Sequence, residues 1–251
     1  ERLRLRLINA ANARIFVVDI AGMEGWTIAL DGMPLAQPQR LGEPLILGPG
    51  QRADLIVDVT ADSGETAHLV RLDNGEGMSQ VALTVTGRAS AVRRDDPPAL
   101  PSNANMDVPG LDNAVPVRLN IEGGAMGRMQ SAVLNGERKS FRDLVDENEY
   151  WALNGTVGMP DAPLAGLALG QTVKLEISND TSFPHAMHLH GMHFREIGED
   201  ATLGPLRDTI TMFRGETRTV VFVADNPGDW LFHCHMLSHA AAGMMTWMRV
   251  T

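Results

Sequence analysis

Four stretches of the chain alternate apolar and polar residues with a period of two. They are Leu3-Arg4-Leu5-Arg6-Leu7, Ala53-Asp54-Leu55-Ile56-Val57-Asp58-Val59, Val81-Ala82-Leu83-Thr84-Val85 and Thr172-Val173-Lys174-Leu175-Glu176-Ile177. Period two sends successive side chains to opposite faces, which is the pattern of a half-buried strand. Turn signals separate these runs: Leu47-Gly48-Pro49-Gly50, Asp73-Asn74-Gly75, Asn135-Gly136 and Asn226-Pro227-Gly228. No helical apolar stripe of useful length appears, and only the polar stretch 141–149 has room for a helical turn or two. Short strands broken this often predict an all-β fold of the sandwich or barrel kind.

A length of 251 residues suits one large domain or two ordinary ones. The run Arg93-Arg94-Asp95-Asp96-Pro97-Pro98-Ala99-Leu100-Pro101 is charged and proline-rich and has no alternation. It marks residues 89–116 as a linker between a β module over 1–88 and a second over 117–251. The formal charge is 21 − 31 = −10, whereas nucleic-acid binding wants a basic stripe. No apolar run approaches the ~18–20 residues that a membrane-spanning helix needs. The chain opens on Glu1 with no secretory leader, and reads as a mature product or as a piece of something longer.

The single cysteine excludes an intramolecular disulfide. Cys234 sits in His233-Cys234-His235, and seven of the eight histidines fall in two groups, this one and Pro184-His185-Ala186-Met187-His188-Leu189-His190 with His193 close behind. On a strand, His233 and His235 share one face and Cys234 takes the other. By the same parity His188 and His190 share a face, and His185 takes the opposite one. Two sites are therefore expected: an internal one using His185 and Cys234, and an external one using His188, His190, His233 and His235. His239 and Met244 follow at intervals of five residues, so a loop can fold both back onto the internal site. Two imidazoles, a thiolate and a distant thioether form the ligand set of a blue-copper centre. Magnesium and calcium want oxygen ligands instead. Zinc would accept the cysteine and two histidines, but it would leave the outer imidazole pairs without a purpose. The outer four suit more than one copper, and Cys234 is covalently joined to two of them. His68, alone in the first module, and His193 read as structural, and Asp208 as the partner of a buried donor.

The motifs His185-x-x-His188-x-His190-Gly191 and His233-Cys234-His235-x-x-x-His239-x-x-x-x-Met244 resemble the two C-terminal copper motifs of the laccase-like multicopper oxidases. Leu5-Arg6-Leu7-Ile8-Asn9-Ala10-Ala11 and Leu47-Gly48-Pro49-Gly50-Gln51-Arg52-Ala53-Asp54 resemble parts of that family's middle domain. Trp151-Ala152-Leu153-Asn154-Gly155 and Arg207-Asp208-Thr209 resemble landmarks of its third. The resemblance implies two cupredoxin-like Greek-key domains, with no copper ligand in the first. It implies a type 1 copper on His185, Cys234, His239 and axial Met244. It further implies a type 2 ligand in His188 and type 3 ligands in His190, His233 and His235. The implied activity takes single electrons from a small reducing substrate or metal ion and reduces dioxygen to water, with Cys234, His233 and His235 as the conduit. The family's trinuclear cluster uses eight imidazoles, so four are expected from an N-terminal cupredoxin domain absent from this sequence. Ser238 and Ala240 stand where many bacterial relatives carry acids. A periplasmic or secreted location follows from the resemblance alone. The alternatives are a blue-copper electron-transfer protein, a copper nitrite reductase-like protein, and a scaffold that has lost its metals.

Overall fold

The strand Arg2–Ile8 pairs antiparallel with Arg52–Val59, in a register that sets Arg2 opposite Asp58 and Arg6 opposite Asp54. Leu3, Leu5 and Leu7 thereby join Leu55 and Val57 in the core. On the other face Arg2 donates two hydrogen bonds to the Asp58 carboxylate at 2.8 and 2.7 Å, and Arg4 and Arg6 both reach Asp54. The alternation read from the sequence is thus a buried leucine face backed by a ladder of ion pairs. The structure, a computed structural model, describes residues 1–103 and 110–251, so residues 104–109 of the expected linker lie outside the described residues.

The chain divides into two compact units, one over 1–10 and 14–105, the other over 11–13 and 106–251. In the first, one sheet runs Arg2–Ile8, Arg52–Val59, Met23–Leu30, Met33–Arg40, and a second runs Leu45–Leu47, Phe16–Ala21, Thr66–Asp73, Glu76–Thr84. Its core draws on both sheets, with Leu5, Leu55 and Val57 from one and Ile20, Ala67 and Leu83 from the other. Asn74 and Gly75 both adopt positive φ (51° and 85°), as do Asn135 and Gly136 (52° and 81°). Two such residues in succession make the turn that matches strand twist in a tight hairpin.

The second unit holds a six-stranded sheet in the order Trp151–Leu153, Val115–Gly123, Thr172–Asn179, Thr217–Val223, Phe194–Ile197, Leu203–Arg207. Its first strand starts at Val115, two residues inside the stretch expected to be linker, because Val115 and Pro116 already pair with Val173 and Lys174. A five-stranded sheet runs Ala165–Leu167, Met245–Val250, Gly228–Cys234, His185–Leu189, Thr209–Met212. The expected helical turns appear as Phe141–Asp146, started by a capping box in which Ser140 and Asp143 exchange hydrogen bonds. Phe141 and buried Leu144 seat this helix on a small cluster with Met129, Leu134 and Val157.

Candidate metal centre

Two central strands of the five-stranded sheet carry the chemistry. His185–Leu189 pairs antiparallel with Gly228–Cys234, with Met187 opposite Cys234 and His188 opposite His233. Residues directly opposite share a face. The register therefore turns His185, Met187 and Cys234 one way, and His188 and His233 the other, the division that strand parity predicts.

On the inner face, ring nitrogen Nδ1 of His185 lies 3.1 Å from Nδ1 of His239, and Cys234 Sγ lies 3.9 and 3.8 Å from the two. Among the described residues, only His185, Cys234 and His239 bring three such donor atoms within 4.8 Å of one another. His239 reaches the site from the short helix Leu237–Ala241, which follows the strand at once. Met244 is fully buried, and its backbone is tied to both neighbours: its amide donates to the His239 carbonyl, and its carbonyl accepts from the Cys234 amide. Trp151 closes the group, with its ring 4.9 Å from His185 and 4.6 Å from His239. A Cβ at Gly124 would stand 2.4 Å from the Trp151 ring, so the site depends on a glycine there.

On the outer face, His188, His190, His233 and His235 form a second group with neighbouring ring centroids 4.8–5.9 Å apart. His233 Nδ1 lies 2.9 Å from the Cys234 carbonyl, and His188 Nδ1 lies 3.1 Å from the Asp208 carbonyl. A carbonyl only accepts, so in both rings Nδ1 carries the proton and Nε2 keeps the lone pair that a metal needs. Nε2 of His190 and of His233 are 3.1 Å apart. Nδ1 of His235 is buried without a hydrogen-bond partner, an orphan that a ligand would satisfy. Asp208 accepts from the Thr209 hydroxyl at 2.7 Å and lies 3.8 Å from His193, and His68 bonds Ser79.

Burial sets the protonation of the inner group. Desolvation, with a smaller push from His239, lowers His185 to about 3, and desolvation lowers His239 to about 4. His233 falls to about 4 for the same first reason, and burial pushes the Cys234 thiol up to about 12. The imidazoles are therefore neutral and able to ligate at neutral pH, whereas the thiol gives up its proton only to something that binds sulfur strongly. In the metal-free protein these shifts carry a stability cost in acid. Below the ordinary imidazole value of 6.5 the unfolded chain takes up protons that the folded chain refuses. Each buried imidazole then costs up to about 1.4 kcal/mol per pH unit, and half-exposed His239 less. The urea midpoint should fall between pH 7 and pH 5; a midpoint unchanged or raised at pH 5 contradicts this burial.

Gly191, directly after His190, has φ +74°, and a Cβ there would stand 2.1 Å from the Trp230 ring. Gly191→Ala should cost about 2–4 kcal/mol, from left-handed strain plus displacement of the indole. Thermal unfolding measures this, and a loss under 1 kcal/mol would contradict the contact.

A family model described as multicopper oxidase matches residues 111–251. The chain belongs to the multicopper oxidase family. Multicopper oxidase MmcO of Mycobacterium tuberculosis is 30% identical over 98% of this chain and 46% of its own length. The crystal structure of Lac15 from a marine microbial metagenome is 40% identical with a TM-score of 0.75, covering 99% of this chain and 55% of that one. A multicopper oxidase from Pseudomonas thermotolerans is 30% identical with a TM-score of 0.78, covering 100% and 55%. The chain thus spans about half the length of the relatives it matches, and its two units have the cupredoxin fold of this family. Copper is the metal that membership of the multicopper oxidases implies. The inner donors fit it: two neutral imidazoles and a sulfur converge in a largely buried pocket, a set that favours a soft, thiolate-binding metal. No helix among the described residues is long and apolar enough to cross a membrane.

Strand parity sorts six of the eight site residues between the two faces, and the five-residue spacings add His239 and Met244 as candidates. Neither singled out Asn179 and Thr181, which hydrogen-bond beside His185, nor Trp151 as a wall of the pocket. An Asn-x-Thr step just ahead of the first histidine was the one available signal.

Proposed function

We propose that this chain is the part of a multicopper oxidase that receives single electrons and delivers them to an oxygen-reducing cluster, four of whose eight imidazoles it supplies. The observation that carries this reading is the pair of donor groups on opposite faces of one strand pair, joined by the contiguous residues His233, Cys234 and His235. An electron-transfer cupredoxin would use the inner group alone and leave the outer imidazoles idle.

In this reading His185, Cys234 and His239 would hold the type 1 copper, with the Met244 thioether as a weak further donor. His188 would hold type 2 copper, and His190, His233 and His235 the type 3 pair. Copper supplies one-electron redox chemistry, and four electrons with four protons convert dioxygen to two waters. Cys234 has two tasks: its sulfur binds the metal, and its backbone is the shortest covalent bridge between the two groups. Trp151 and the buried Met244 keep water away from the thiolate. Hydrogen bonds from Nδ1 of His188 and His233 to backbone carbonyls hold both rings with Nε2 outward. Half-exposed His239 is the ligand nearest solvent and the entry point for electrons from a small reducing substrate or metal ion. The remaining imidazoles come from an N-terminal cupredoxin domain, and the reading places the protein in the periplasm or outside the cell.

Oxygen uptake by the copper-loaded protein together with that domain tests the reading. Four equivalents of a one-electron donor should be consumed per dioxygen, with no peroxide. Two equivalents with peroxide released, or no uptake, would overturn it.

A further inference from the structure

The side chain of Thr181 is 5% exposed and touches three groups whose roles can be settled by counting protons. The Asn179 amide is fixed in orientation. Its Nδ2 donates to the carbonyls of Phe183 and Phe213 at 2.8 and 2.9 Å, and its Oδ1 accepts from the Thr181 backbone amide at 3.1 Å. Oδ1 also lies 2.8 Å from Thr181 Oγ1. An amide oxygen cannot donate, so the hydroxyl proton belongs to this bond, with the Phe183 carbonyl at 3.1 Å as its only other acceptor of that kind. Were the proton aimed at His185 instead, two oxygen lone pairs would face each other at 2.8 Å among buried groups. Thr181 Oγ1 must therefore accept from His185 Nε2, which lies 2.8 Å away, as it does from the Phe183 amide at 3.2 Å.

We propose that Thr181, held by Asn179, is a positioning residue that locks His185 in the tautomer with its proton on Nε2 and its lone pair on Nδ1. This rests on the reading of His185, Cys234 and His239 as metal ligands, and it deepens it. Nδ1 is the atom that faces Cys234 Sγ and His239 Nδ1, so the lock aims the lone pair into the pocket before metal arrives. The His185 ring is completely buried and cannot exchange tautomers through water, which is why it needs a fixed acceptor. His239 is half-exposed; its Nδ1–H can donate to the freed Nδ1 of His185 and pass to solvent when metal binds. The outer rings of His188 and His233 are set the opposite way, by carbonyls on Nδ1. His185 and the outer pair His188 and His233 therefore present different ring nitrogens, and the neighbours of each ring choose which.

Nitrogen-15 NMR of the metal-free, imidazole-labelled protein reads the tautomer directly, without activity. His185 should show a protonated Nε2 and a bare Nδ1. Thr181→Val keeps the shape and removes the acceptor; it should bring protonated Nδ1 into the spectrum and weaken Co(II) binding, read by thiolate absorption, by about tenfold or more. Thr181→Ser should restore both. A wild-type His185 protonated on Nδ1, or a folded Thr181→Val with unchanged tautomer and Co(II) affinity, would overturn the lock. The two readings fail separately. Absence of thiolate absorption with Co(II) in the wild type rejects the metal assignment, while the nitrogen shifts still decide the tautomer.

Discussion

Cys234→Ser should erase the thiolate-to-copper absorption of the loaded protein and, on the proposed function, the oxygen uptake of that protein combined with the N-terminal domain, in one step. The sulfur is completely buried and stands within 4 Å of both Nδ1 atoms, so the substitution replaces the one thiolate donor of the inner group by a hydroxyl that does not ionise near neutral pH. Removing a partner of a ligand typically costs 10–100-fold in metal affinity, so losing the ligand itself should cost at least about a hundredfold. Activity should vanish with the colour because the same residue joins the inner group to His233 and His235. The substitution is small and the pocket polar, so the metal-free variant should unfold within about 1–3 kcal/mol of wild type, the cost of an imperfectly paired buried hydroxyl. Visible absorption, metal competition and urea unfolding on one preparation separate these effects. A variant that keeps the absorption band would remove Cys234 from the site.

The site was legible because strand parity is a strong geometric constraint. Once 185–189 and 228–234 are strands, the faces of His185, His188, His233 and Cys234 follow, and the observed register adds only that Met187 meets Cys234. Parity is silent about hydrogen bonds from loops, and Thr181 and Asn179 act through those. The same contrast holds in the fold. Alternation at Leu3–Leu7 mapped directly onto core and surface, but along 81–85 it did not: Leu83 joins the core while Val81 is 46% exposed. A register shift between Leu69 and Val70 skips Gln80, and Glu76–Thr84 is an edge strand, so one face of it buries little. Met23–Leu30 showed no alternation because both of its faces are covered. Trp26, on the side away from the leucine core, lies beneath the guanidinium groups of Arg2 and Arg40 at 5.8 and 5.7 Å. Cations serving as a lid over an indole leave no periodic trace in sequence.

Copper counting on this chain alone should give one tightly held ion, not four. The inner group brings two nitrogens and a sulfur within 4.8 Å, and no other set of three among the described residues does so. The outer imidazoles have neighbouring ring centroids 4.8–5.9 Å apart and do not converge on a common point in this way. Burial lowers His233 to about 4, and burial with its imidazole neighbours lowers His190 as well, so protonation does not prevent binding there at neutral pH. The limit is the number and aim of the donors. Four imidazoles shared among three coppers leave each ion short of ligands, and a competing chelator should strip them. With a chelator of intermediate affinity present, about one equivalent should remain. His185→Ala should remove that equivalent, whereas His235→Ala should leave it in place with its thiolate absorption intact. Adding a polypeptide that carries the remaining imidazoles should raise the count towards four, and His235→Ala should then block the rise. Retention of several coppers by the chain alone would mean that the outer group is a complete site in itself, and that the division of the cluster between two domains is wrong.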